Sequence, residues 1–163
     1  MNNDIFVVNS IEEAISFLND RILETGRTLN SIALESGNLI STFSRISRYG
    51  EKTKLDNFLK FANAIGYTIG LVHTKNSNLF FPEVLGNEVS TESLIKYLTA
   101  FRNMRETFIS LTNISSQTGI SHTTFMRMEK GETIPRFDVF LEYVKALDFQ
   151  VVLCPIKTKN KQR

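Results

Sequence analysis

The chain has 163 residues, of which 42% are apolar and 10% aromatic, so it is long enough to bury one core or two small ones. Its formal net charge of +2 includes four cations from the basic tail, residues 157–163, so overall charge indicates no partner. No apolar run approaches the roughly 18 residues of a membrane span, and the N-terminus lacks a signal-peptide pattern, which predicts a cytoplasmic protein with no membrane partner.

In chain order, residues 1–73 predict a set of short helices followed by a strand. Helical spacing of apolar residues covers 11–24 and 55–65, and a shorter helix over 29–36 ends at a glycine suited to a left-handed C-cap. The β-prone run 67–72 follows directly. Residues 74–90 form a predicted linker, whose apolar side chains Leu79, Phe80 and Phe81 we expect to pack against the protein.

Residues 91–156 predict the same order of elements. Helices are expected over 92–107, with Ser93 or Thr91 as its N-cap, and over 111–118 and 137–147, before a strand at 149–154. Cys154 is the chain's one cysteine, and its apolar neighbours predict a buried strand thiol rather than a nucleophile or ligand. His73, just beyond the first predicted strand, is expected at the surface.

The two parts of the chain repeat each other without a gap when Phe43 is aligned with Phe125. The other matched positions include Gly37 with Gly119, Thr42 with Thr124, Arg45 with Arg127, Asp56 with Asp138, Phe58 with Phe140, and Leu71 with Leu153. The sequence therefore predicts two copies of one structural unit, residues 1–73 and 91–156, joined by the linker.

Within each copy, a short helix, a glycine turn and a second helix follow one another. Ser121 has the residue type of an N-cap, and the helix after it places Phe125 and Met128 on one face. The opposite face carries polar side chains and an arginine, a composition suited to an α-helix whose N-terminal end enters the DNA major groove.

At this point the chain resembles the Xre family of helix-turn-helix proteins, the phage Cro and phage repressor type. The residues that carry the resemblance are Ile114, Ser115, Gly119, Ser121, Phe125, Arg127, Glu129, Gly131 and Pro135. The resemblance covers most of each copy and implies a mainly α fold of two helix-turn-helix bundles, each of four to five short helices and a strand. It also implies a sequence-specific transcriptional regulator that binds double-stranded DNA, in a bacterial, phage or mobile-element setting.

Carried over residue by residue, the resemblance implies two sets of DNA contacts. The base-contact candidates are His122, Thr123, Met126 and Arg127 in the second copy and Ile40, Ser41, Ser44 and Arg45 in the first. The backbone candidates are Ser121, Thr124, Lys130, Arg136, Thr42, Arg48, Lys52 and Lys54.

The first copy departs from the family pattern at its helix ends. Leu39 stands where the pattern has a capping serine, with Asn38 as the alternative cap, and Ser47 stands where the pattern has glutamate. Tyr49 and Thr53 replace the glycine and proline, and Gly50 comes one residue late. These differences leave the start of the first recognition helix in question.

The strand after each bundle resembles the DNA-binding antitoxins of the Hip persistence modules, in which such a strand pairs across a homodimer. Here the two strands are expected to pair within one chain as a pseudo-dimer, with a homodimer as the alternative. The resemblance also admits another class of function: an interaction module, such as an antitoxin-like partner of a kinase toxin, in which one or both copies do not read DNA. No metal-ligand, nucleophile or phosphate-loop motif occurs, which predicts a protein without enzyme activity or cofactor.

Overall fold

The computed structural model describes residues 5–50, 52–75, 79–80 and 89–156. Within these ranges the chain is mainly helical, with one small antiparallel sheet, and the order of elements β-α-α-α-α-β occurs twice. The elements are β1 (Phe6–Val8), α1 (Ile11–Glu24), α2 (Leu29–Glu35), α3 (Ile40–Tyr49), α4 (Leu55–Ile65), β2 (Tyr67–His73), β3 (Leu79–Phe80), α5 (Thr91–Asn103), α6 (Leu111–Thr118), α7 (His122–Glu129), α8 (Phe137–Ala146) and β4 (Phe149–Pro155).

The predicted bounds are correct for α1, α4 and α6 and nearly so for most other elements. The exception is α5, which ends at Asn103 because Met104 adopts an extended conformation with ψ 143°. The expected N-cap was also wrong, since Ser90 caps this helix. Ser90 and Ser93 form a reciprocal capping box in which each side chain accepts from the backbone N–H of the other.

The predicted pairing of the two long strands is confirmed, and it forms the centre of a sheet of order β1-β4-β2-β3. Strands β2 and β4 run antiparallel from Tyr67↔Pro155 to His73↔Phe149. The middle pair is Gly70↔Val152, and these two residues are equivalent in the sequence repeat. The outer strands β1 and β3, which the sequence did not predict, occupy matching places beside β4 and β2.

The predicted linker is described only in part. Its residues 79–80 form β3. The expected packing of the side chains of Leu79, Phe80 and Phe81 lies outside what the structure describes, as does the basic tail, residues 157–163.

Other backbone hydrogen bonds between the halves also join equivalent positions of the repeat in both directions. Leu55 donates its N–H to the carbonyl of Pro135, and Phe137 donates to the carbonyl of Thr53, so equivalent positions exchange hydrogen bonds of 2.9 and 2.8 Å. At the ends of the long strands, Thr74 donates to Asp148 and Ile156 donates to Gly66, both at 2.8 Å. Each half therefore uses the same backbone groups to contact the other.

The hydrophobic core is continuous across the two halves. At their junction the rings of Phe58 and Phe137 stack with centroids 4.0 Å apart. Burial of Cys154 is confirmed, and it raises the pKa of the thiol to about 11. The expected surface position of His73 was wrong: it lies at the end of β2 with its ring against Phe101 and Phe149, because the paired strands bring α5 over it.

Candidate nucleic-acid interface

The second helix pair, α6 and α7, is delimited by local hydrogen bonds. Gly119 ends α6 at φ 72°, a left-handed conformation that glycine adopts without steric cost. Ser121 caps α7 as predicted, its hydroxyl accepting from the N–H of Thr123 at 3.2 Å. The turn between the helices is therefore fixed by its own residues, and α7 begins at His122.

Helix α7 is held on its inward face by apolar side chains and by a buried ion pair. Phe125 and Met128 are buried, as predicted. Arg102 of α5 donates twice to the Glu129 carboxylate, at 2.6 and 2.7 Å, and Tyr143 of α8 donates to the same carboxylate at 2.7 Å. Burial and the hydrogen bond to Glu129 both raise the pKa of Tyr143, so its hydroxyl keeps its proton at neutral pH.

Sequence reasoning noted Glu129 as part of the pattern but did not find its partners. Arg102 lies 27 residues earlier and Tyr143 lies 14 residues later, on different helices, so no local spacing relates them. The one signal in the sequence for such a buried ion pair was an arginine within a helix that otherwise has apolar residues at helical spacing. Its remaining donor group bonds to the carbonyl of Ile109 at 3.0 Å, which satisfies the buried guanidinium.

The outward face of α7 carries the second set of base-contact candidates. His122, Thr123, Thr124 and Arg127 are exposed, and Met126 is half-buried. Arg127 forms no ion pair with any described residue. Because Glu129 is buried in its ion pair, α7 presents no carboxylate to solvent. Lys130, just beyond the helix, is exposed.

The first helix pair, α2 and α3, begins and turns at the equivalent positions. Thr28 caps α2, and Gly37 follows that helix at φ 70°. Helix α3 begins at Ile40, the equivalent of His122, although no side chain caps it. Asn38 as the alternative cap was wrong, because its amide donates to Ser36 of the preceding turn instead.

Helix α3 is anchored without an ion pair. Phe43 and Ile46 are buried like their equivalents, but Ser47 takes the place of Glu129 and donates to the Asn19 side chain at 2.9 Å. The helix also continues to Tyr49, so Gly50 rather than the preceding residue adopts positive φ, at 52°. A Cβ on Gly50 would also lie 2.3 Å from Cδ1 of Ile15, so the positive φ and this close approach together favour glycine at this position.

The outward face of α3 is basic but begins with apolar residues. Ser41, Arg45 and Arg48 are exposed, whereas Thr42 and Ser44 are half-buried. At the helix start, Leu39 is 72% exposed and Ile40 is 44% exposed. The equivalent positions in the second copy are Ser121 and His122. The two outward faces therefore differ in chemistry at the helix start and agree at the arginine.

The remaining backbone candidates lie near the reciprocal contact between the halves. Lys52 and Lys54 are exposed, and Lys54 forms an antiparallel bridge with its equivalent, Arg136. Arg136 is exposed but pairs with Asp138 at 2.6 Å, so a phosphate would compete with that carboxylate. Across the described ranges, no cluster of three or more histidine, cysteine or acidic side chains is placed to hold a metal, and no helix has the length and apolar character to cross a bilayer.

Comparison of the chain with protein-family models, with curated proteins and with solved structures finds no match in any of the three.

Proposed function

We propose that the chain is a sequence-specific double-stranded DNA-binding regulator that uses α3 and α7 of one molecule as its two recognition helices. The observation that carries this proposal is a pair of equivalent, outward-facing helix surfaces, each with an arginine that has no acidic partner among the described residues. Arginine suits this role because its planar guanidinium forms two hydrogen bonds with guanine in the major groove.

Charge on the two helix pairs supports a polyanionic partner. Helix α3 contains two arginines and no acidic residue, and the one carboxylate of α7 is buried. On α2, Glu35 is paired with Arg27. Phosphate groups flanking the major groove would therefore meet cations and hydroxyl groups rather than carboxylates.

The reciprocal contacts support a pseudo-dimer. A homodimer with two-fold symmetry pairs each residue with its counterpart through a self-complementary contact. Here Gly70 with Val152 and Lys54 with Arg136 are such counterparts, joined within one chain. Two-fold pairs of recognition helices read half-sites about one helical turn apart, roughly 34 Å, and we expect the same spacing here.

Selection of bound sequences from random duplex DNA tests the proposal directly. We expect enrichment of a non-palindromic site in which the two halves share a guanine, because Arg45 and Arg127 agree while their neighbours differ. Footprinting and a mass measurement of the complex should give one chain on both halves. A palindromic site occupied by two chains, each using only α7, would contradict the pseudo-dimer.

Variants away from the base-contact candidates supply the control. Arg48→Ala and Lys52→Ala should lower affinity for the selected site and for random DNA alike, and each should reduce the slope of log K against log salt by about 1. Neither side chain belongs to the buried core, so neither change should destabilise the fold.

A second candidate function is supported by the apolar residues of the first helix pair. Leu34, Leu39 and Ile40 are all exposed, at 76%, 72% and 44%. Exposed apolar residues grouped on one surface are typical of protein interaction sites. In this alternative, the chain is an antitoxin-like module whose first copy binds a protein, such as a toxin kinase. Recovery from cells of a tightly bound protein without enriched DNA would favour it.

A further inference from the structure

The start of α3 differs from the start of α7 in a way that bears on which bases it meets. Ile40 occupies the position of His122 and leaves an aliphatic side chain 44% exposed at the first turn of the helix. In DNA, the thymine C5-methyl group is the one apolar group that a base pair presents in the major groove. An aliphatic side chain at a base-reading position therefore suits thymine, whereas histidine suits a hydrogen-bonding edge.

We propose that Ile40, with Leu39 beside it, reads thymine methyl groups, so that the half-site bound by the first copy contains A·T pairs next to the guanine read by Arg45. This inference rests on the proposed DNA-binding function and deepens it. The two half-sites then differ in chemistry: the first is selected by apolar contact and the second by hydrogen bonds from His122, Thr123 and Arg127.

The surroundings of Ile40 favour DNA over a protein as the occupant. Arg45 and Arg48 belong to the same helix and form no ion pair with any described residue. A stable protein interface buries about 1,200 Å² or more, which the three exposed apolar side chains of this helix pair do not supply by themselves. Two apolar side chains accompanied by such cations instead match the size and charge of a base step between phosphates.

The rotation of α3 places Ile40 with the other base candidates. Phe43 and Ile46 are buried and define the inward face, so Ile40, one turn before Ser44, lies at the border between that face and the outward side that carries Ser41 and Arg45. Its exposed part therefore belongs to the helix surface at the first turn rather than to the core. Removing its side chain should leave the fold intact, because its burial is partial.

The test uses DNA that lacks a single methyl group. Within the selected site, each thymine of the first half-site is replaced in turn by uracil, which keeps the hydrogen-bonding groups and removes the C5-methyl. We expect one or two of these replacements to weaken binding about fourfold each, the effect of about 0.8 kcal/mol for one buried methyl group. The same replacements in the second half-site should have a smaller effect, because His122 rather than an aliphatic side chain occupies the position equivalent to Ile40 there.

Protein variants link the methyl effect to the side chain. In Ile40→Ala the uracil effect in the first half-site should disappear, whereas Ile40→Val should retain most of it. Leu34→Ala is the matched control, because Leu34 is even more exposed but lies on α2. It should bind thymine- and uracil-containing DNA with the same ratio as the unaltered chain.

The outcomes separate the inference from the proposed function. A selected site whose affinity is unchanged by uracil, or a uracil effect that persists in Ile40→Ala, would overturn the thymine reading while leaving DNA binding in place. Failure to enrich any duplex would overturn both. If Ile40→Ala instead dissociates a homodimer or abolishes capture of a protein, the apolar residues belong to a protein interface and the inference is wrong.

Discussion

The two halves of the chain hold their outward helices by different means. In the second half, a buried ion pair between Arg102 and Glu129 ties α7 to α5, and Tyr143 adds α8 to the same carboxylate. In the first half, the corresponding place holds two neutral hydrogen bonds between Ser47 and Asn19. Both arrangements leave the same helix face outward, so the position of the helix depends on the shared apolar residues rather than on the polar anchor.

The two outward helices also differ at their first residues. Ser121 caps α7, whereas α3 begins without a side-chain cap and ends later than its counterpart, at Tyr49. An uncapped start leaves Leu39 and Ile40 available at the surface, where the capped start has Ser121 and His122. The copies thus differ both in the contacts that hold these helices and in the residues that we propose meet DNA.

The largest expected effect comes from breaking the strand pairing that joins the halves. Val151→Pro removes a backbone donor from β4, which lies between β1 and β2 and has no solvent-facing edge. We expect a loss of about 4 kcal/mol or more in the free energy of unfolding, measured by urea denaturation, and a collapse of DNA binding.

Val7→Pro on the edge strand β1 is the matched control, since Val7 is 40% exposed and proline is tolerated at sheet edges. Its loss should be much smaller. A folded Val151→Pro protein with unaltered affinity for the selected DNA would show that the pairing does not set the relative position of α3 and α7.

Removing one partner of each buried polar contact should destabilise the second half more than the first. Arg102→Leu leaves the Glu129 carboxylate buried without its cation and should cost about 3–5 kcal/mol. Asn19→Ala removes two neutral hydrogen bonds, with the hydroxyl and the carbonyl of Ser47, and should cost only about 1–2 kcal/mol. Denaturation midpoints at constant slope measure both.

The double variant Arg102→Leu with Glu129→Leu gives an internal check on this prediction. It should recover most of the stability, because no buried charge is then left unpaired. Equal losses for Arg102→Leu and Asn19→Ala would mean that the ion pair does not anchor α7 more strongly than the neutral bond anchors α3.

Replacing either of the two equivalent arginines should have a smaller effect, limited to discrimination between DNA sequences. Arg127→Ala should remove about 1–3 kcal/mol of discrimination between the selected site and random DNA. Arg45→Ala should have a smaller effect, because α3 starts without a cap and has fewer hydrogen-bonding side chains beside the arginine. Competition binding against random duplexes measures the ratio, and equal losses on both kinds of DNA for Arg127→Ala would remove its base-reading role.

The smallest expected effect concerns Cys154, whose equivalent in β2 is Val72. Burial raises the pKa of the thiol to about 11 from its usual 9.0, so the unfolded chain loses this proton first as pH rises. The stability that the neutral thiol contributes is therefore complete below pH 9 and is lost as pH rises through 11, a change on the order of 1 kcal/mol.

Melting temperatures of the unaltered chain and of Cys154→Val, taken from pH 8 to 11, isolate this contribution from other groups that titrate in the same range. The valine variant copies the first half at this position and should show the shallower decline. Parallel curves for the two proteins would mean that the thiol does not ionise differently on unfolding.

The sequence by itself determined the local elements and the repeat. Apolar spacing placed α1 and α4 at their observed bounds, Ser121 marked the start of α7, and the ungapped repeat identified equivalent positions. These features depend on periodicity, capping and glycine conformation, which act within a few residues and can therefore be recognised along the chain.

The tertiary structure decided what residues far apart in the chain do to one another. Pairing of β2 with β4 buried His73 under α5, and β1 from the start of the chain joined β4 from near its other end. Arg102 found Glu129 and Tyr143 only through the packing of three helices. A buried charge needs a partner, but the sequence does not state which of many candidates the fold will bring within hydrogen-bond distance.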